Sequence, residues 1–150
     1  MIETALVFDL DGKTIHWHEP NDRSMTHIGD TRDLWDVLWE NRARLGGVAH
    51  THPWNGRAVP SETDLTTFDV NERGLGKKLL WPVVTFNDVT YIARLGRIGD
   101  PNSSWVRIEP DTIPFQIEGL EELRIRSGGA SRHPGNVTVP ETSTGENEND

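Results

Sequence analysis

Residues 50–64 read HTHPWNGRAVPSETD, and this stretch decides both the expected fold and the expected chemistry. The run GVAH at residues 47–50 predicts a buried strand that leads into it. Side chains two residues apart in a strand point to the same face, so His50 and His52 present both imidazoles to one side. A polar loop then leads to Ser61, the expected N-cap of a helix. The stretch therefore predicts strand, loop and helix, with two imidazoles at the end of the strand.

Asp64 supplies a third candidate ligand, because it lies in the first turn of that helix, where its carboxylate can turn back toward the histidines. Two His and one carboxylate leave a fourth position open, as in catalytic rather than structural zinc sites. Zinc held in this way lowers the pKa of a bound water to about 7. A nearby carboxylate would take the proton of that water and return it to a leaving amine. A hydroxyl such as that of Ser61 would stabilise the oxyanion.

The pair His50 and His52 taken alone would be better explained as a partly buried structural pair. Ser61 and Asp64 at their spacing favour a metal site instead, with His50, His52 and Asp64 as ligands of Zn²⁺. A second His-x-His occurs at residues 16–18, but no Pro or Asp follows it at a useful spacing. We expect it on a solvated or interface face, and the less favoured alternative is that it lines the groove of the active site.

The remaining sequence alternates strand and helix patterns. Residues 5–9 and 14–18 predict a hairpin whose turn contains Asp11-Gly12. Residues 31–45 have apolar side chains at helical spacing, and Gly46-Gly47 is the expected end of that helix. A second helix is expected from residue 61 to about Gly74 or Gly76, followed by strands at residues 79–86, 89–96 and 104–110. This order predicts an α/β or α+β sandwich around a small sheet.

Residues 5–15, ALVFDLDGKTI, resemble the nucleophile motif of haloacid-dehalogenase-type phosphatases, with Asp9 as the nucleophile. That fold needs a longer chain, a Thr or Val where Lys13 stands, and a downstream acidic motif. The run GDTRD at residues 29–33 comes too early for that motif. We therefore favour a hairpin turn at Asp11-Gly12.

Composition bounds the class of protein. The chain has 150 residues and suits one domain, expected at residues 1–126, with a disordered acidic tail at residues 127–150. The formal charge is −9 and no basic patch is evident, so nucleic acid and anionic membranes are not expected partners. Cysteine is absent, which leaves His and carboxylates as metal ligands. No run approaches the length of a membrane span and no signal peptide is evident, so we expect a cytoplasmic protein.

Residues 50–64 resemble the JAMM motif of the JAB/MPN zinc metallopeptidases. In that motif an upstream Glu is followed by His-(Ser/Thr)-His-Pro, then by about seven residues, Ser, two residues and Asp. In this sequence eight residues separate His52 from Ser61, namely Pro53 and the seven that follow it. The matching residues are His50, Thr51, His52, Pro53, Ser61 and Asp64. The resemblance extends over about residues 3–110, although the family's usual N-terminal helix is missing. It implies an α/β fold, a JAB/MPN-like (cytidine-deaminase-like) sandwich of a mixed β-sheet flanked by helices.

The resemblance also implies one catalytic zinc and a glutamate that acts as general base and acid. Glu3, which opens the run ETALVFD, fits that position best. Glu19 is the second choice, and Glu40 is disfavoured because it falls on a predicted helix. Ser61 would support the oxyanion.

The substrate implied by the resemblance is a protein or peptide, including ubiquitin-like modifiers or their conjugates, and the member it resembles is a small prokaryotic or phage type. A non-catalytic scaffold of the same fold, or a phage tail-assembly protein that binds a partner, is the alternative. Trp54 is expected beside the metal, either as a platform that faces the substrate or packed within the loop. Trp35 and Trp39 are expected in the core. The run LRIRSGG at residues 123–129 resembles the tail of ubiquitin-like modifiers, and we interpret this as coincidence.

Overall fold

The computed structural model describes residues 3–20 and 31–128, and these form one six-stranded mixed sheet with helices on both faces. The strands are β1 (Ala5–Asp9), β2 (Thr14–His18), β3 (Leu45–Thr51), β4 (Trp81–Val84), β5 (Val89–Leu95) and β6 (Ser104–Ile108). The α-helices are α1 (Thr31–Glu40), α2 (Glu62–Leu75) and α3 (Leu120–Arg126), with a 3₁₀ turn at Pro110–Thr112. The α/β class is confirmed. Residues 129–150 of the expected tail lie outside the described residues.

The strand order is β2-β1-β3-β4-β5-β6, so β3 lies in the interior of the sheet. Its pairing with β4 is parallel, and every other pairing is antiparallel. The expected strands all form, and the first hairpin has the expected bounds. Because β1 and β4 pair with β3 on either side, the backbone that carries the two histidines is held by hydrogen bonds to both neighbouring strands.

The side chain of Asp9 stabilises the turn of the first hairpin. Its Oδ1 accepts hydrogen bonds from the backbone N–H groups of Asp11 and Lys13, each at 2.9 Å. The bond from Lys13 is the main reason that the pKa of Asp9 lies below its ordinary value. Gly12 takes a left-handed φ of 83°. Both features belong to the hairpin turn that the Asp-Gly pair predicts.

The first helix is shorter than predicted. Helix α1 ends at Glu40, and Leu45, which was expected on the helix, begins β3. Gly46 and Gly47 lie inside that strand, where a Cβ on Gly47 would stand 2.0 Å from the carbonyl oxygen of Leu80. The prediction was wrong because glycine marks close approach of two backbones as well as the end of a helix.

The Gly47→Ala variant should therefore be less stable than the parent. The added methyl group would also stand 2.7 Å from the Phe8 ring, so the backbone must shift. We expect the free energy of unfolding to fall by about 1–3 kcal/mol, the usual cost of overpacking. Urea denaturation followed by tryptophan fluorescence measures this loss. An unchanged midpoint would contradict the close contact between β3 and the residue before β4.

Two apolar cores lie on opposite faces of the sheet. Helices α1 and α2 cover one face, and α3 covers the other. The first core includes Ala5, Val7, Leu38, Val48, Phe68 and Val83. The second includes Leu6, Phe8, Ala49, Val84 and Leu123. Consecutive residues of β1 and β3 alternate between the cores, as a strand requires. In the described residues, no helix is long and apolar enough to cross a membrane.

Helix α3 was not predicted. It contains Leu123–Arg126 of the run LRIRSGG, and Leu123 is fully buried. Of the tryptophans expected in the core, Trp35 packs against it, but Trp39 is 44% exposed. Trp39 stacks on Trp35, and the guanidinium of Arg42 lies 4.0 Å from the centroid of its ring. The core prediction for Trp39 was therefore wrong. The spacing of apolar residues along a helix indicates which side of the helix they share, but not how deeply each side chain is buried.

A buried carboxylate fixes α2 against the sheet. Glu72 is fully buried, and its Oε2 accepts hydrogen bonds from the Leu79 backbone at 2.9 Å and from the Trp81 indole at 2.8 Å. Its Oε1 accepts from Nε of Arg94 at 2.9 Å, which pairs the buried charge. Such a charge is tolerated only when it is paired and hydrogen-bonded. Glu72 thereby holds the C-terminal half of α2 on β4 and β5.

Candidate metal centre

The two histidines lie at the end of β3, where neighbouring strands fix the backbone. His50 stands opposite Ala5 on β1 and Val83 on β4. The backbone N–H of His52 donates to the carbonyl of Val84 at 2.9 Å. Both imidazoles are buried, with ring centroids 5.0 Å apart. They therefore share one face, as the His-x-His spacing predicts.

The start of α2 directs Asp64 toward these rings. Ser61 is the N-cap, and its Oγ accepts the Asp64 N–H at 3.0 Å. The Asp64 carboxylate in turn accepts the Ser61 N–H at 2.9 Å, which completes a capping box. This confirms the expected cap. The same reciprocal bonds hold the Asp64 side chain back over the start of the helix, which is the side that faces β3.

His50, His52 and Asp64 each place one potential ligand atom near the same point. Oδ2 of Asp64 lies 2.9 Å from Nε2 of His52 and 3.2 Å from Nε2 of His50. All three atoms lie within 4.8 Å of one another, and this is the one group of three or more potential ligands found among the described residues. Within those residues, the buried Nε2 of His50 makes no hydrogen bond of acceptable geometry. A metal ion would give this nitrogen the partner that buried polar atoms require.

The donors fit a divalent transition metal, since imidazole nitrogen and carboxylate oxygen bind such ions well. Asp64 is held in the ionised form that binding needs. Burial raises its pKa, but the close contacts of its carboxylate with the imidazoles of His50 and His52 lower it more, so the pKa lies well below its ordinary value. The three residues could therefore hold a metal ion, and the geometry alone does not select zinc over its neighbours.

Glu3 lies beside this group. It lies two residues before the start of β1, and its Oε2 is 3.9 Å from Nδ1 of His52, the ring nitrogen turned away from Asp64. The Glu3 side chain is almost fully buried. Burial raises its pKa to about 7, an effect that the charge of His52 opposes and that of Asp64 reinforces. A carboxyl group that changes its protonation near neutral pH thus stands next to the candidate ligands.

The other glutamates considered from the sequence have different surroundings. Glu19 pairs with Arg126, whose guanidinium nitrogen lies 2.5 Å from its carboxylate. Glu40 is the exposed last residue of α1. Of the three glutamates, Glu3 is therefore the one whose contacts include a candidate ligand.

Trp54 borders the group on its solvent side. Its ring stacks on the His52 ring with centroids 4.5 Å apart and planes inclined by 28°. The carbonyl of Trp54 accepts the Phe86 N–H at 3.0 Å, which fixes the loop to the end of β4. Trp54 is still 40% exposed. It stands beside the ligands as predicted, and its role toward a substrate stays a prediction.

The second His-x-His pair lies on β2, at the edge of the described sheet. The rings of His16 and His18 are 6.2 Å apart, and His18 is buried. The expectation of a solvated face is therefore wrong for His18. Burial was not readable from the sequence because alternation along a strand does not show which face the rest of the fold covers.

Glu3 should make the metal-free protein less stable as the pH rises. A carboxyl whose pKa rises from 4.5 to about 7 on folding opposes folding when it is ionised. This cost is absent below pH 4.5, grows as the pH rises toward 7, and is complete above it. It amounts to about 3 kcal/mol. We expect the metal-free Glu3→Gln variant to be more stable than the parent at pH 8, but not at pH 4.

Urea denaturation in the presence of a chelator, from pH 4 to pH 8, measures this difference. The Glu40→Gln variant is the matched control, because that side chain is exposed. Parallel pH dependence in the parent and Glu3→Gln would contradict the burial of the Glu3 carboxyl.

No protein-family model and no curated protein sequence matches this chain. The resemblance to the JAB/MPN family therefore rests on the motif residues and their order.

Proposed function

We propose that this protein is a zinc-dependent peptidase or isopeptidase of the JAMM type, built on a JAB/MPN-like domain. One observation carries the proposal. Three ligand atoms from His50, His52 and Asp64 lie within 4.8 Å of one another, and a separate buried carboxyl, that of Glu3, lies 3.9 Å from one ligand. A structural zinc site would be closed by a fourth protein ligand, whereas the group formed by the described residues offers three.

Glu3 would act as general base and then as general acid. Zinc, when bound, would supply a Lewis acid that lowers the pKa of water and polarises the substrate carbonyl. Glu3 accepts a proton from the attacking water as the new C–O bond forms, and it delivers that proton to the nitrogen as the C–N bond breaks. The products are a carboxylic acid and an amine. A pKa of about 7 suits both roles, because the group must take up and release a proton near neutral pH.

Ser61 would stabilise the negative charge that develops on the carbonyl oxygen. Its Oγ accepts the Asp64 N–H, so the hydroxyl proton can still be donated to another acceptor. Ser61 is exposed, which allows a substrate oxygen to reach it. Loss of one such donor costs about 10²–10³ in kcat in known cases.

A cleavage assay tests the proposal. Zinc-loaded protein would be incubated with a panel of peptides, linear fusions of ubiquitin-like proteins and their isopeptide conjugates, and new termini would be identified by mass spectrometry. We expect cleavage by the parent that a chelator stops and that Glu3→Gln lacks. Zinc-loaded parent that cleaves no member of the panel would contradict the proposal and favour a non-catalytic, partner-binding role.

A further inference from the structure

Thr51, the residue between the two histidines, holds the segment that carries Glu3. Its Oγ1 accepts the backbone N–H of Thr4 at 2.9 Å and lies 3.3 Å from the Thr4 carbonyl. The backbone N–H of Thr51 donates to the same carbonyl at 3.1 Å. Both backbone polar groups of the residue after Glu3 are therefore tied to Thr51. All of these groups are buried, so water does not compete for them.

Ser127 connects this arrangement to the end of α3. Its hydroxyl lies 2.5 Å from Oγ1 of Thr51, and both side chains are almost fully buried. Ser127 is the C-cap of α3, and its N–H donates to the carbonyl of Leu123 at 3.1 Å. If Ser127 donates to Thr51, the Thr51 proton can go to the Thr4 carbonyl, and the hydroxyl groups of Ser127 and Thr51 both have an acceptor. The contact joins residues 76 positions apart in the sequence.

These bonds matter because Glu3 and Thr4 lie before the first residue of β1. The regular ladder between β1 and β3 begins at Ala5, opposite His50. The distance from the Glu3 carboxyl to His52 therefore depends on how Thr4 is held. An error of about 1 Å in the position of a reacting group can cost about 100-fold in rate.

We propose that Thr51 and Ser127 are positioning residues, which hold the backbone after Glu3 so that its carboxyl stands at the distance from the metal ligands that proton transfer requires. This inference rests on the proposed function. It also makes the end of α3, far from β3 in the sequence, part of the support of the site. Neither residue touches the reacting atoms, since Thr51 points to the opposite face of the sheet from His50 and His52.

Comparison of Thr51→Val with Thr51→Ser tests the proposal. We expect kcat of the zinc-loaded Val variant to fall about 10- to 100-fold with KM and zinc content unchanged. Serine keeps the hydroxyl and should stay within about 3-fold of the parent. In a Glu3→Gln background, Thr51→Val should cause no further loss, because the group it positions is gone. An equal loss in both backgrounds, or loss of zinc, would overturn the proposal.

Amide hydrogen exchange gives a readout that does not need activity. The Thr4 amide should exchange at least roughly 10-fold faster in Thr51→Val, while amides in the centres of β1 and β3 exchange as in the parent. Thr51→Ser should retain the protection of Thr4. If Thr51→Val does not fold, Ser127→Ala provides the same comparison with one bond removed. Unchanged protection of Thr4 would overturn the inference, whereas a parent without peptidase activity would overturn the proposed function.

Discussion

Replacing His52 by alanine is expected to abolish stoichiometric zinc binding by this chain. The imidazole Nε2 lies 2.9 Å from the Asp64 carboxylate and is one of three converging ligand atoms. Loss of an outer partner of a metal ligand typically weakens binding by 10- to 100-fold, so loss of a ligand itself should cost more than about 100-fold. Metal analysis after dialysis and competition with a chromophoric chelator both measure this. Asp64→Ala should behave in the same way.

The matched control is His16→Ala, because His16 belongs to the other His-x-His pair, on β2. That variant should bind one zinc per chain with the affinity of the parent. The control separates a site-specific effect from nonspecific binding to imidazole. One zinc per chain that persisted in both His52→Ala and Asp64→Ala would contradict the proposed ligands.

Glu3→Gln is expected to lower kcat by about 10²–10⁴-fold, the range that a general acid–base group contributes. Glutamine fills nearly the same volume but cannot accept the proton of water. Because Glu3 is not one of the converging ligands, zinc content should remain at the parent value. Steady-state kinetics on the best substrate from the panel, with metal analysis of the same samples, measures both quantities.

Glu19→Gln is the control for this variant. Glu19 was the second choice for the general base, and it pairs with Arg126. We expect its kcat to stay near that of the parent. A large loss in Glu19→Gln with little change in Glu3→Gln would reverse the assignment of the base.

The local parts of the fold were readable from the sequence because each has short-range chemistry. The first hairpin follows from Asp11-Gly12, and the start of α2 follows from Ser61 with Asp64 three residues later. The shared face of the two histidines at the end of β3 follows from the period of a strand. These features depend on neighbours within about five residues, so the sequence contains all the information they need.

The wrong prediction at the end of α1 and the missed helix α3 both concern features that local sequence does not determine. Gly46 and Gly47 were placed at a helix end because the sequence does not show that β3 passes close to Leu80. Helix α3 was missed since its main stabilisation comes from burying Leu123 against the far face of the sheet, with no side-chain cap at its start. Both depend on contacts between residues distant in the chain.

The residues of the candidate site were likewise predictable from the sequence only in part. The candidate ligands were predictable from their spacing, whereas Glu3 was selected only through the resemblance to a family. Its position depends on Ala5 standing opposite His50, a register that no local pattern specifies. The contact between Ser127 and Thr51 had no signal in the sequence.

We propose that His50, His52 and Asp64 bind one zinc ion beside a Glu3 carboxyl that does not bind the metal. Crystals of the zinc-loaded protein, measured on both sides of the zinc absorption edge, test it most directly. We expect a single anomalous peak at about 2.0–2.2 Å from one nitrogen of each histidine and one oxygen of Asp64, with Glu3 outside bonding distance. A peak elsewhere, or Glu3 as a fourth protein ligand that closes the site, would contradict the account.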